Sequence, residues 1–327
     1  MTRTAVHSPE SPNSLDPGGP AAQDIAALWW FLLVLGTVVF LLVLALLLIP
    51  LLRRPRQGAP AGDDRAEVPA ALTHRWIVGL GIVLTGVLLI VVLVFSVATM
   101  RNVSRAAPAD SVEIDVVGHQ FWWAASYPAA DVTVANEIHI PVGEPVELRL
   151  TSADVIHSFW APELHGKLDL LPDGTNVLVL EADRAGEYGG ECAEFCGLQH
   201  TSMGFLVIAQ PRAEFDAWLE TQRAPAAAPT VGPAAEGARL FASKGCGQCH
   251  VVRGGPTAAT APEIPGPDLT HVSSRRTIAS DTVANTPGDM TAWLRDPQSI
   301  KPGTSMPSPE LTDEQVTALV AYLEGLE

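Results

Sequence analysis

The chain has 327 residues, enough for two or three ordinary domains, and combines 47% apolar side chains with a formal charge of −16. Residues 1–105 carry 8 basic and 6 acidic side chains, whereas residues 106–327 carry 12 and 30. So acidic a rear portion excludes nucleic acid as a partner, because phosphate binding needs a basic surface, and four cysteines are too few for a disulfide scaffold.

Residues 1–24 are rich in Pro, Ser and Gly and are expected to be disordered. They lack the pattern of a classical signal peptide. From Ile25 to Leu52 run 28 residues without a charge, and from Trp76 to Met100 another 25. Each run exceeds the roughly 20 apolar residues that cross a bilayer. Residues 25–105 therefore read as a transmembrane hairpin with helices over about 26–50 and 76–100. Trp29, Trp30 and Trp76 sit near the segment ends, as interfacial aromatics do. Between the helices lie Arg53, Arg54, Arg56, Arg65 and Arg75 against three acids. Positive loops stay inside, which puts both termini and everything after residue 101 on the outer face of the membrane.

Residues 106–220 alternate short apolar runs with Gly and Pro: Val112–Val117, Val132–Val134, Glu137–Ile140, Pro145–Leu150, Asn176–Glu181 and Gly204–Ala209. Within Pro145–Leu150 apolar and charged residues alternate, so one face is buried. About seven such strands predict an all-β Greek-key sandwich. Residues 221–235 follow as an Ala- and Pro-rich linker, made semi-rigid and extended by Pro225, Pro229 and Pro233. Residues 236–327 turn helical. Thr312 with Gln315 forms a capping box, and Val316, Leu319, Val320 and Leu323 mark one helix face. A domain this small needs something beyond its own core, such as a cofactor.

All four cysteines sit in two tight motifs. Cys192, Cys196, His200 and Met203 form C-x3-C-x3-H-x2-M. Thiolate, imidazole and thioether suit copper, and two cysteines allow the loop to bridge two ions. One further histidine is needed, and His157, just after an alternating strand, is the best candidate. A Cys192–Cys196 disulfide is the plain alternative, but it leaves the spacing of His200 and Met203 to chance. A thioredoxin-like copper chaperone would show βαβ patterning instead. Cys246-Gly247-Gln248-Cys249-His250 is the attachment signature for haem c, with His250 beside the iron. Met290, on a helical stretch, and Met306, in an irregular loop, are the two choices for the sixth ligand. The remaining histidines His119, His139, His165 and His271 read as surface or packing residues.

The copper loop, the Asp154/His157 segment and the two apolar helices resemble subunit II of the haem–copper cytochrome c oxidases. Together with the haem motif, they make the chain similar, from residue 25 onward, to the caa-type branch in which a cytochrome c domain is fused at the C-terminus. The resemblance implies a bacterial plasma-membrane protein with a cupredoxin domain holding the dinuclear CuA centre. Its ligands would be His157, Cys192, the backbone carbonyl of Glu194, Cys196, His200 and Met203. The Glu194 carboxylate would touch a Mg²⁺ ion at the boundary with subunit I. Gly118–Trp123 resembles the family's aromatic segment, where electrons are taken in, so Phe121, Trp122 and Trp123 are candidates for that role; many members begin this run with Trp where the chain has Phe121. The tail resembles class I cytochrome c domains, which favours Met306 as iron ligand, and Gly266-Pro267-Asp268-Leu269 resembles the segment whose proline carbonyl accepts the His250 ring N–H. Glu67 is the nearest candidate for an acid that assists proton uptake. The implied task is relay of electrons from haem c to CuA and on to haem a of subunit I, where oxygen is reduced and protons are translocated. Other oxidase subunits, and a cytochrome c or a quinol–cytochrome c reductase as donor, are the implied partners. A copper subunit of a nitrogen-oxide reductase and a membrane-anchored copper-delivery protein are the alternatives.

Overall fold

The computed structural model describes residues 13–52, 70–255 and 266–327. It divides into two compact units: the apolar hairpin, Asp24–Ser104, and the rest. In the hairpin, one helix runs Pro20–Leu52, and the other starts at Ala70–Trp76, passes through a π-helical stretch, Ile77–Leu84, and continues as Thr85–Val103. Both are long and apolar enough to cross a membrane, and their side chains are largely unburied. Phe31 stacks on Phe95 with ring centres 4.7 Å apart. The hydroxyls of Thr37 and Thr85 donate to helix carbonyls of Leu33 and Leu80, as hydroxyls in hydrocarbon must. Arg53, Arg54, Arg56, Arg65 and Glu67 lie outside the described residues.

The stretch read as disordered differs from that expectation over residues 13–23; residues 1–12 lie outside the described residues. Gly18 N–H donates to Glu163 O at 2.7 Å, Asp183 N–H donates to Gly18 O at 2.8 Å, and Ala22 N–H donates to Leu164 O at 3.2 Å. A Cβ at Gly19 would stand 2.2 Å from the Glu181 carbonyl, and one at Gly18 2.5 Å from the Tyr188 ring. The glycines that suggest disorder by composition are what lets this backbone lie flat on the sandwich.

The sandwich has ten strands: β1 Val112–His119, β2 Trp122–Tyr127, β3 Val132–Ala135, β4 Glu137–Pro141, β5 Val146–Ser152, β6 His157–Trp160, β7 Leu168–Leu170, β8 Asn176–Leu180, β9 Gly186–Cys192 and β10 Gly204–Gln210. They form two five-stranded sheets, ordered β3-β2-β1-β5-β8 and β4-β10-β9-β6-β7. β1 pairs in parallel with β5, as β4 does with β10, and the other pairs are antiparallel. The predicted alternation holds in β5: Val146, Leu148 and Leu150 are buried, while Arg149 points out. Four strands are additional to those named from the sequence. Of these, β9 carries Gly189 and Gly190, and a Cβ at Gly190 would lie 2.2 Å from the Phe205 ring. That stacking needs glycine and hides the strand's periodicity.

A helix, Arg212–Arg223, covers part of the segment read as linker, and the next begins at Gly232. The connection between them is held down. Ala226 N–H donates to Arg253 O at 2.8 Å, the Arg253 guanidinium donates to Gln222 O, and His271 Nε2 lies 2.9 Å from Ala224 O. His271 is a buried packing residue whose Nδ1 lies 2.6 Å from the main-chain oxygen of Glu327. In the C-terminal domain the helices Gly232–Ser243 and Asp313–Glu324 cross so closely that a Cβ at Gly237 would be 2.0 Å from the Ala318 carbonyl. The Thr312/Gln315 capping box is present. Shorter helices span Pro287–Arg295 and Pro297–Ile300. The domain is not wholly helical: a two-stranded ribbon, β11 Thr277–Ile278 with β12 Val283–Ala284, projects from it.

Candidate metal centres

The first cluster forms where β9 ends at Cys192, β10 begins at Gly204 and β6 begins at His157. The β9–β10 loop turns back so that soft donors meet. Cys192 Sγ lies 3.8 Å from His157 Nδ1, 3.9 Å from Cys196 Sγ and 3.2 Å from the Glu194 carbonyl. Cys196 Sγ lies 3.7 Å from His200 Nδ1 and 3.8 Å from Met203 Sδ. Every residue of the predicted set is thus brought together, with both cysteines free and buried. The ligand atoms of His157, Cys192 and Cys196 all lie within 4.8 Å of one another, a spacing that can hold a metal ion.

The surroundings suit these donors to a metal. Asp154 Oδ1 accepts from His157 Nε2 at 2.8 Å, which turns Nδ1 toward the thiols; such an outer hydrogen bond fixes tautomer and orientation. Burial pushes His157 down, favouring the neutral ligand form. Burial and the adjacent Cys192 push the Cys196 thiol up to about 12, so a cation that takes both sulfurs as thiolates must displace their protons. Gly118 is needed beneath the site, since a Cβ there would be 2.8 Å from the His157 ring. Trp123 is fully buried, and its indole N–H donates to Met203 O at 3.2 Å. Phe121 lies against the loop: a Cβ at Gly197 would stand 3.2 Å from its ring. Trp122 stacks on His119 at 4.3 Å. Gln120, not singled out by the sequence reading, donates through Nε2 to the Cys196 carbonyl at 2.5 Å. Its neighbours in the aromatic run were the available signal. The Glu194 carboxylate points away and faces Lys167 Nζ at 3.7 Å, beside an open cavity of about 500 Å³ bordered by Trp160, Glu191 and His200.

The second cluster lines a cavity of about 250 Å³ in the C-terminal domain, bordered by Cys246, Cys249, His250, Met290 and Met306. Cys246 opens a tight turn after Gly245, whose φ of +79° suits glycine. His250 Nδ1 donates to the Pro267 carbonyl at 2.8 Å, the bond that the family resemblance implies, and this leaves Nε2 as the nitrogen able to bind iron. Met290 is in the hydrophobic core on its helix, whereas Met306 sits in a loop fixed by Gln298, whose Nε2 donates to Met306 O at 2.8 Å. Two attachment thiols, a half-buried imidazole and an apolar lining fit a covalent haem. Phe121 and Trp122 of the sandwich also line this cavity.

Comparison with known proteins finds one family match in the sandwich and another over the C-terminal domain. Residues 129–210 match the family described as cytochrome c oxidase subunit II, periplasmic domain, and residues 234–327 match cytochrome c. Cytochrome c oxidase subunit 2 of Alkalihalophilus pseudofirmus is 37% identical over 97% of this chain and 92% of its own length. That of Bacillus subtilis is 31% identical over 96% and 92%. The chain belongs to the cytochrome c oxidase subunit 2 family. A solved periplasmic domain of subunit II from Bradyrhizobium japonicum, 28% identical, covers 36% of this chain and 97% of that chain with a TM-score of 0.35. Membership gives this subunit 2 an electron-transfer role in a respiratory oxidase, as part of an oxidoreductase complex that includes subunit I. Its cytochrome c domain implies haem, its subunit 2 domain implies copper, and its two apolar helices make it membrane-anchored.

Proposed function

We propose that this chain carries electrons from a haem c, fixed by Cys246 and Cys249 and ligated by His250 and Met306, to a dinuclear copper centre. The copper ligands are His157, Cys192, the Glu194 carbonyl, Cys196, His200 and Met203. When bound, these groups supply one-electron redox chemistry. The chain's own part is to hold them and to bridge them. Asp154 orients His157, the Pro267 carbonyl orients His250, and the buried rings of Phe121 and Trp123 pack against the copper loop. The observation that carries the reading is the place of Phe121, which lines the cavity bordered by Cys246, Cys249 and His250 and rests on Gly197 beside Cys196.

The delivery runs on the outer face of a bacterial plasma membrane, from a cytochrome c or a quinol–cytochrome c reductase toward haem a of subunit I. Glu194 would serve twice in this reading: its carbonyl, 3.2 Å from Cys192 Sγ, would help hold copper, and its carboxylate, which faces Lys167, would help hold Mg²⁺ at the boundary with subunit I. Metal analysis of the purified full chain should find two coppers and one covalent haem, with an electron-paramagnetic signal split by two equivalent copper nuclei. One copper with a single-nucleus signal would defeat the dinuclear assignment.

A further inference from the structure

A donor on a loose tether would come and go, yet the haem-binding domain is joined to the sandwich by buried polar groups. Lys301 follows the short helix Pro297–Ile300 and is 2% exposed. Its ammonium donates to two carbonyls, Phe121 O of the sandwich at 2.8 Å and Ala279 O of its own domain at 3.1 Å. An ammonium removed from water is costly unless acceptors meet it. Docking supplies the second acceptor, and a shifted docking would bury this charge with one partner missing. Desolvation pushes Lys301 down to about 7, in keeping with its withdrawal from water.

The tip of the β11–β12 ribbon acts on the same point. Ala279, Ser280 and Asp281 have φ values of 56°, 58° and 59°. Three successive non-glycine residues in the left-handed region are held there only by strong surroundings. The turn places Ser280 Oγ 2.7 Å from the same Phe121 carbonyl, and Gly204 N–H donates to Ser280 O at 3.2 Å. Both lone pairs of the Phe121 carbonyl are thus taken by the other domain. One residue earlier, Gln120 holds the Cys196 carbonyl through its side chain, and its own carbonyl accepts from Ser305, next to Met306, at 3.5 Å.

We infer that Lys301 and Ser280 are positioning residues that lock the haem-binding domain onto the Gln120-Phe121 backbone, fixing the gap that electrons cross between haem and copper. The inference rests on the relay reading above. Electron transfer falls steeply with distance, so a lock that sets the gap sets the rate without touching either metal.

The test uses the full-length chain with Lys301→Met, Ser280→Ala and, as a surface control, Arg239→Ala. In metal-free protein, hydrogen exchange is read at the Gly204 and Arg276 amides, which donate across the domain boundary to Ser280 O and Glu137 Oε1. In loaded protein, absorption spectra and the rate of haem-to-copper electron transfer after flash reduction are read. Both lock variants should keep both spectra, lose about tenfold in transfer rate and exchange faster at Gly204 and Arg276, with the Leu148 amide inside β5 unchanged. The control should match the native chain. Unchanged rate and exchange in both variants would overturn the inference. So would loss of either spectrum in Lys301→Met, which would make Lys301 a folding residue. A native chain that loads both metals yet passes no electron between them would defeat the relay reading, whereas the exchange result judges the lock by itself.

Discussion

The copper cluster and the haem cavity are built on opposite plans. The copper donors come from one loop, Cys192–Met203, plus His157 on the adjacent strand, and they stand within 4 Å of their neighbours. The haem cavity begins from an equally short motif but is closed by residues far apart in sequence: Met306 from a late loop, Phe121 and Trp122 from the other domain. A site made of near neighbours is preformed by the rigid sheets that carry it. A site closed by distant segments depends on how domains dock.

That contrast can be broken most directly at the cysteines. Cys196→Ser should abolish the copper signal and leave covalent haem in full, while Cys249→Ala should prevent stable haem attachment and leave the copper signal. Absorption spectra of the two purified variants check this, and loss of both centres in either would remove the contrast. Next, Met306→Ala should keep haem attached but lower its potential, on the order of 0.1 V within the ~0.8 V that axial ligands command. Met290→Ala should leave the potential and cost about 2–5 kcal/mol of stability for its buried side chain. Redox titration beside thermal unfolding separates the two, and the reverse ranking would move the ligand to Met290.

A smaller effect is expected around the preformed cluster. Asp154→Asn should weaken copper retention about 10–100-fold, since it disturbs only the orientation of His157; competition with a chelator measures it. At the domain boundary, burial pushes Glu137 up to about 7, partly opposed by Arg275 and by the Arg276 and Thr277 amides. The folded state therefore binds this proton more tightly than the unfolded chain. The contribution to stability is complete below the ordinary carboxylate range and is lost as pH rises through about 7. Unfolding midpoints from pH 5 to 8 should fall more steeply for the native chain than for Glu137→Gln. The difference between the two cancels the opposite contribution of His139, which burial pushes down to about 4. Parallel profiles would show that Glu137 does not titrate there.

What the sequence made legible follows the same division. The alternation in β5, the cysteine loop, the haem motif and the Thr312 cap all rest on near neighbours, and spacing reveals them; the Pro267 carbonyl, 17 residues from His250, is legible only through the family resemblance. The missed features rest on distant partners. Lys301 reads as an ordinary surface lysine until Phe121, 180 residues away, is placed beside it. The segment with Pro225 and Pro229 reads as an extended tether because its composition says nothing of Arg253 and His271, which hold its backbone. The first glycines read as disorder because only the Glu181 carbonyl and the Tyr188 ring show why they must be small.

The central claim is that one chain holds both redox groups close enough to pass electrons within itself. Flash reduction of the haem in the loaded full-length subunit, alone in detergent, tests it most directly. The account predicts that haem is reoxidised as the copper band bleaches, with one first-order rate that does not change with protein concentration or salt. A rate proportional to protein concentration, or a reaction that waits for added cytochrome c, would contradict it.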